Sequence, residues 1–394
     1  MKSRFFQPSD FFYVSAAILS SLSGLAEAAR HFHGMRLFFL ALAIAFFVTL
    51  AMVWLRWSHL KGRQVDRWSP FLLWCVLLAV FAVLFPLAHR HIWGGAGSDR
   101  DDALRVSDLA LVHGRYIYSA KTYLGNSVTP LPGAVFLALP FFFLGNVGLE
   151  NLFWLALLLC FTGWFFHFRA TGLVYVLLLF AASSTNFDDF VVGGDFLVNG
   201  IYVCIAMTLV LVACERKFPL WGQIASAVFL GIAIDSRPIY IVVFPLLLAY
   251  LWQRGDRAAA VRAVLISGLV AALLSIPFYL YDPAHFAPLH VRHKLDFISA
   301  KYHPALLFPL LGMLAACAGF FVRLTLPRVF LLMGISLFAM IGIPGVIHWF
   351  LAPFTFNGWF GLALFGVPAL FWELWIFSQY EANSLALQHQ AGHH

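Results

Sequence analysis

The chain has 394 residues, of which 62% are hydrophobic and 11% charged, with a formal net charge of +7 at pH 7. Soluble domains carry about 25% charge and about 45–50% apolar residues, and a soluble globule of this length could not hide the excess. The composition excludes a nucleic-acid-binding module, a disulfide scaffold and a disordered chain, so the basic excess becomes a statement about membrane orientation.

At about 20 residues per crossing, the apolar content supplies on the order of twelve transmembrane helices, within about 11–13. The expected fold is an all-α polytopic bundle forming a single transmembrane domain over 1–394. The basic start MKSRFFQPSD leads into no cleavage site and reads as a retained first helix. Apolar runs follow at 11–29, 35–57, 69–88, 149–168, 170–184, 196–214, 219–235, 237–253, 262–281, 303–322, 329–350 and 355–377.

The loops between them set the orientation. Lys61, Arg63 and Arg67 mark one loop as cytoplasmic, as do Arg216 and Lys217, then Arg254, Arg257 and Arg262, then Arg323 and Arg328. Segments 89–148, 185–195, 235–237 and 282–302 then face the extracytoplasmic side of a bacterial-type inner membrane. The stretch LPGAVFLALPFFFLGN (131–146) is apolar but short and carries Pro140. If it crossed, every later basic loop would face outward. It is therefore expected as a re-entrant or interfacial helix on the outer face. The five cysteines form no CxxC pair and read as small buried apolar side chains.

Acidic residues are unevenly shared. Asp99, Asp101, Asp102, Asp108, Glu150, Asp188, Asp189, Asp195, Asp235, Asp282 and Asp296, 11 of 18, fall in the outer segments or, for Glu150, at the edge of one. That points to an outward-facing polar site above the bundle. Asp99, Asp101 and Asp102 crowd together directly after a membrane helix. They could simply cap the following helix, where acids favour the dipole. Alternatively, mutual repulsion raises one carboxyl pKa and leaves another ionised, which suits a general base. On a helix Asp99 and Asp102 share a face, and Asp101 can pair with Arg105 at i+4.

The remaining candidates lie further along. Arg237, within IDSRPIY, sits near membrane depth, where a charge is paired or functional; Asp235 and Asp195 are its structural partners in the bland reading. His290, Arg292 and Lys294 are cations of the 282–302 loop that could hold a phosphate or merely meet lipid headgroups. In STNFDDFVVGGDFLVNG (183–199), Asp188, Asp189, Asp195 and Asn199 could hold sugar hydroxyls beside the permissive pair Gly193-Gly194. A cap at Asp195 behind a tight turn explains the same residues equally well. Tyr116 is one of several outer aromatics that could stack on a sugar or anchor the interface. No spacing demands a metal, although a divalent cation is conceivable among the aspartates.

The first outer loop resembles that of GT-C glycosyltransferases. The resemblance rests on Asp101-Asp102 beyond a membrane helix, then Gly114-Arg115-Tyr116, then Pro130-Leu131-Pro132-Gly133 leading into a short apolar helix. Ser236-Arg237-Pro238 and DPAHFAPLHVRHKL (282–295) are similar to bacterial mannosyl- and arabinosyl-type members. The pattern departs in having Asp as the second acid and in placing two helices before the one that leads into the loop. The resemblance implies a polyprenyl-phosphate-linked sugar donor, a lipid or glycan acceptor, and transfer on the extracytoplasmic side. Asp101, then Asp102 and Asp99, would supply the general base, and Arg237, Arg292, Lys294 and His290 would hold the donor phosphate. Two other readings remain open from the residues: a secondary transporter, or another polyprenyl-glycan enzyme such as a ligase or polymerase.

Overall fold

The computed structural model describes residues 68–89, 99–166, 169–182, 184–289 and 295–351. The expected spans at 11–29, 35–57 and 355–377 lie outside the described residues, as do His290, Arg292 and Lys294. Among the described residues the fold is all-helical, its one β feature a bridge between Lys121 and Ser127.

The helices are α1 (Ser69–His89), α2 (Arg100–Val112), α3 (Pro132–Phe143), α4 (Leu149–Phe166), α5 (Arg169–Ala182) and α6 (Ser184–Val191). They continue as α7 (Phe196–Glu215), α8 (Leu220–Ile234), α9 (Val243–Gln253), α10 (Arg257–Tyr281), α11 (Pro304–Cys317) and α12 (Leu326–Leu351). Each expected span from 69 to 350 coincides with one of these. Four described helices are long and apolar enough to cross a membrane: Ser69–Ala88, Phe196–Glu215, Arg257–Tyr281 and Leu326–His348. The protein is a helical membrane protein. Shorter apolar helices fill other expected spans, because proline starts or turn residues trim them: Pro219 precedes α8, and Pro238 and Pro304 open two more.

At 12 residues, α3 is about 18 Å long, well short of a hydrocarbon core of about 30 Å. It instead packs on α2, α8 and α10. There Gly133 is required, because a Cβ would meet the Ile232 carbonyl oxygen at 2.3 Å.

Burial separates the roles of the long helices. In α7, 89% of the spanning window is buried, against 11% in both α1 and α10. Helix α7 is the hub, packed by α4, α8 and α9. The outward side of α10 carries Val261, Leu265, Leu269, Leu273, Ile276 and Leu280, all exposed and recurring every three or four residues. Such a stripe in water would promote aggregation, whereas in lipid it is the solvent-facing side. Among the cysteines, Cys204 and Cys214 are buried, Cys75 and Cys317 half-buried, and Cys160 exposed. The last corrects the expectation that all five are interior: in a bundle inverted toward lipid, an apolar thiol suits the outer face equally well.

Candidate functional site

Chain order brings 99–133, 184–199 and 235–237 to one end of the bundle, where side chains tie them together. The acidic start of α2 is built first. Asp99 occupies the N-cap position but makes no side-chain cap bond. Its Oδ2 instead accepts from Thr122 Oγ1 at 2.6 Å and Asn126 Nδ2 at 2.8 Å. Asp102 Oδ2 accepts from the Tyr123 N–H at 2.8 Å. These two carboxylates therefore staple the 121–127 loop over the helix start, and Gly125 at φ 80° lets that loop turn.

Arg105 donates to Asp102 Oδ1 through Nη2 at 2.7 Å and Nε at 3.1 Å. This corrects the expected Asp101–Arg105 pair. The Arg105 guanidinium stays on the solvent side, at 55% exposure, whereas Asp101 turns inward and is 4% exposed. Asp101 shares that inward face with Leu104 and Asp108, both fully buried.

The 184–199 segment folds as α6, a turn at Gly193-Gly194, and the start of α7. Arg100 Nη1 donates to Asp189 Oδ1 at 3.0 Å and lies 3.7 Å from Asp188 Oδ2. Asp189 Oδ2 accepts from the Leu197 N–H at 2.9 Å. Burial pushes the Asp189 carboxyl up to about 6, opposed by Arg100 and the Leu197 N–H. Gly194 approaches this carboxylate so closely that a Cβ would stand 2.1 Å from Asp189 Oδ1. The glycine pair thus admits a carboxylate of this chain.

Asp195 also occupies an N-cap position without making the cap bond. It accepts from Arg237 Nη2 at 2.7 Å on Oδ1 and 2.6 Å on Oδ2, and from Asn199 Nδ2 at 3.0 Å. Arg237 Nη1 reaches Thr129 Oγ1 at 3.0 Å, tying in the first loop. Of the two structural partners weighed for Arg237, Asp195 makes the pair. Asp235 instead accepts from the Gly133 N–H at 3.0 Å and Ser275 Oγ at 2.5 Å. Burial pushes Asp235 up to about 7, opposed by those two donors. The Arg100 and Arg237 guanidiniums both lie over the Phe196 ring, at 4.7 and 4.9 Å from its centroid.

Two expected sugar contacts are engaged within the protein. The Tyr116 hydroxyl donates toward the carbonyls of Phe278 at 2.9 Å and Asp282 at 3.0 Å, pinning the first loop to the end of α10. The Asn199 amide serves Asp195, and its Oδ1 accepts from the Tyr202 hydroxyl.

Three residues were not singled out from the sequence as site residues. Arg100, hidden between Asp99 and Asp101, joins two segments 89 residues apart. Asp108 is fully buried, and neither carboxyl oxygen has a hydrogen-bond partner among the described residues. Burial pushes its pKa up to about 8. Glu150, in the first turn of α4, is 1% exposed and its Oε1 is likewise without a partner. A signal for Asp108 was available, since the i, i+3, i+7 spacing aligns Asp101, Leu104 and Asp108. Glu150 gave none, because an acid in a first turn reads as a dipole effect.

Among the described residues, no group of three or more His, Cys, Asp or Glu side chains is arranged to hold a metal ion. The arrangement offers instead a buried inward-facing carboxyl at the start of α2, two guanidiniums flanking one ring, and a ring of acids around them. Comparison with family models, curated proteins and solved structures finds no match to this chain.

Proposed function

We propose that the protein is a GT-C-type glycosyltransferase. It moves a sugar from a polyprenyl-phosphate-linked donor to a lipid or glycan acceptor hydroxyl at the acidic end of the bundle. Asp101 is the general base. The observation that carries this reading is the division of labour among the three neighbouring aspartates. Asp99 and Asp102 hold the 121–127 loop, whereas Asp101 is buried on the face of α2 that it shares with Leu104 and Asp108.

The chemistry fits those residue types. An acceptor hydroxyl must lose a proton as it attacks the sugar carbon, and a carboxylate can take it. The leaving phosphate gains negative charge, which a guanidinium stabilises by charge-assisted hydrogen bonds. Inverting transfer needs no enzyme nucleophile. The acidic end faces the periplasm in this reading, since the basic loops at the other end mark the cytoplasm.

The test is transfer from a polyprenyl-phosphate-linked sugar by protein in lipid nanodiscs. Asp101→Asn keeps the side-chain volume but cannot accept the proton, so the rate should fall about 10²–10⁴-fold with donor binding retained. Asp99→Asn and Asp102→Asn should instead loosen the loop and act mainly on stability. Full activity in Asp101→Asn would remove the assignment.

A further inference from the structure

Asp108 and Glu150 have no part in the chemistry above, yet both are buried acids with oxygens that lack hydrogen-bond partners among the described residues. They come from different helices, α2 and α4, and both are shut from solvent. Among the described residues, Asp108 has no hydrogen-bond partner on either oxygen, and Glu150 none on Oε1. Asn151, next to Glu150, donates through Nδ2 to the Gly194 carbonyl at 2.8 Å, which sets the start of α4 against the residue before Asp195, the partner of Arg237. An unpaired carboxylate in such surroundings costs several kcal/mol, and a proton is the counter-charge that removes the cost.

We propose that Asp108 and Glu150 form a buried proton-binding pair whose occupancy controls anion binding at Arg237: protonated, they let a phosphodiester dock there; ionised, they repel it. The inference rests on Arg237 facing the donor phosphate. Its physical basis is charge counting. Arg100 and Arg237 already face Asp188, Asp189 and Asp195, so the cluster carries no spare positive charge. Ionising the pair adds two negative charges to the same neighbourhood, with little water to screen them.

The other charged groups around the pair are identifiable. Helix α2 itself adds Asp101, Asp102 and Arg105, the end of α8 adds Asp235, and α3 contributes no titratable side chain. Phenols and thiols complete the packed helices: Cys75, Tyr118, Tyr175, Tyr202, Tyr240 and Cys204. His89 ends α1 and His113 caps α2, and the pH window of interest is that of the buried acids. Burial pushes Asp108 up to about 8, which sets that window.

The experiment measures binding of a polyprenyl phosphate methyl diester to the full chain in nanodiscs between pH 7 and 9. A diester keeps one charge throughout, so any change belongs to the protein. Dimethyl phosphate serves as the soluble arm, separating phosphate recognition from prenyl-chain recognition. The wild type should bind the lipid diester about tenfold more weakly at pH 9 than at pH 7, as one proton is lost. Asp108→Asn and Glu150→Gln mimic the protonated forms and should hold affinity within about twofold across the range.

A wild-type affinity that does not change with pH overturns the inference and leaves the glycosyltransferase reading standing. So does an unchanged tenfold drop in both variants. Failure of the wild type to bind the diester at any pH overturns the phosphate site and the inference together. Difference infrared spectra add a readout independent of ligand and of folding yield. A protonated-carboxyl band at pH 7 that is missing in Asp108→Asn is expected, and its absence from the wild type sinks the proton-binding pair.

Discussion

The two ends of the bundle handle charge in opposite ways. At the acidic end, Arg237 is 7% exposed and bonds Asp195 on both oxygens, and Arg100 serves Asp189 beneath it. At the basic end, Arg216, Lys217, Arg254, Arg257, Arg262, Arg323 and Arg328 face only Glu215 and Asp256 among the described residues. Those cations lie at the surface. Arg254 approaches Glu215 at 3.4 Å with side chains 45% and 30% exposed, and Arg262 reaches Gln223. The basic end keeps its cations at or near the surface, where water hydrates them. The acidic end keeps charges where water is scarce, which is expensive unless partners are in place. In the proposed reading, cost tolerated in that way marks the site.

The largest effect separates the ends by membrane side. A cysteine at Ser127→Cys should react fully with an impermeant thiol reagent in intact cells, while one at Arg323→Cys should react only after lysis. Both positions are exposed, so reactivity reports sidedness rather than burial. The reverse pattern would put the acids in the cytoplasm and dissolve the proposed function along with the orientation.

Next in size is the buried pair. Asp195→Ala removes the carboxylate that Arg237 grips and should destabilise the protein by about 3–5 kcal/mol, read as unfolding in detergent. The double variant Asp195→Ala/Arg237→Met should recover much of that loss, since an apolar pair is easier to bury than a lone charge. If the single variant lost less than about 1 kcal/mol, the end would be wet and its charges ordinary.

The sequence made the frame of this comparison readable and hid its interior. Helix positions from 69 to 350 follow from apolar runs broken by Arg, Lys and Pro, because a membrane helix declares itself by composition alone. The gathering of acids at one end was equally visible. Partner choice was not. Asp102, rather than Asp101, holds Arg105, because rotation of α2 about its axis decides which of two adjacent acids turns inward. Phe196 reads as one more aromatic among 43 phenylalanines, yet it lies beneath two guanidiniums drawn from α2 and from the α8–α9 junction. Spacing aligns Asp108 with Leu104, but it does not reveal that α3 packs on the Leu104 side of α2.

The smallest effect is expected at the basic end and tests the comparison from its weak side. The Tyr250 hydroxyl donates to Glu215 Oε1 at 2.5 Å, and Arg254 Nη2 donates to the Tyr250 hydroxyl at 3.0 Å. This network joins α7 to α9 much as Arg237 joins the start of α7 to the loop that carries Thr129. Its geometry is as good, but its charges remain in water. Arg254→Ala should therefore cost about 0.2–1 kcal/mol, because Glu215 is rehydrated once the guanidinium leaves. Raising salt from 0.1 to 1 M shortens the Debye length from about 10 Å to about 3 Å, so the wild type should lose most of this small contribution as well. The same salt jump should leave the Asp195→Ala penalty almost unchanged, since ions cannot enter where water cannot. Equal salt sensitivity at both ends would mean that burial is not what distinguishes them, and the acidic cluster would then be one more solvated face.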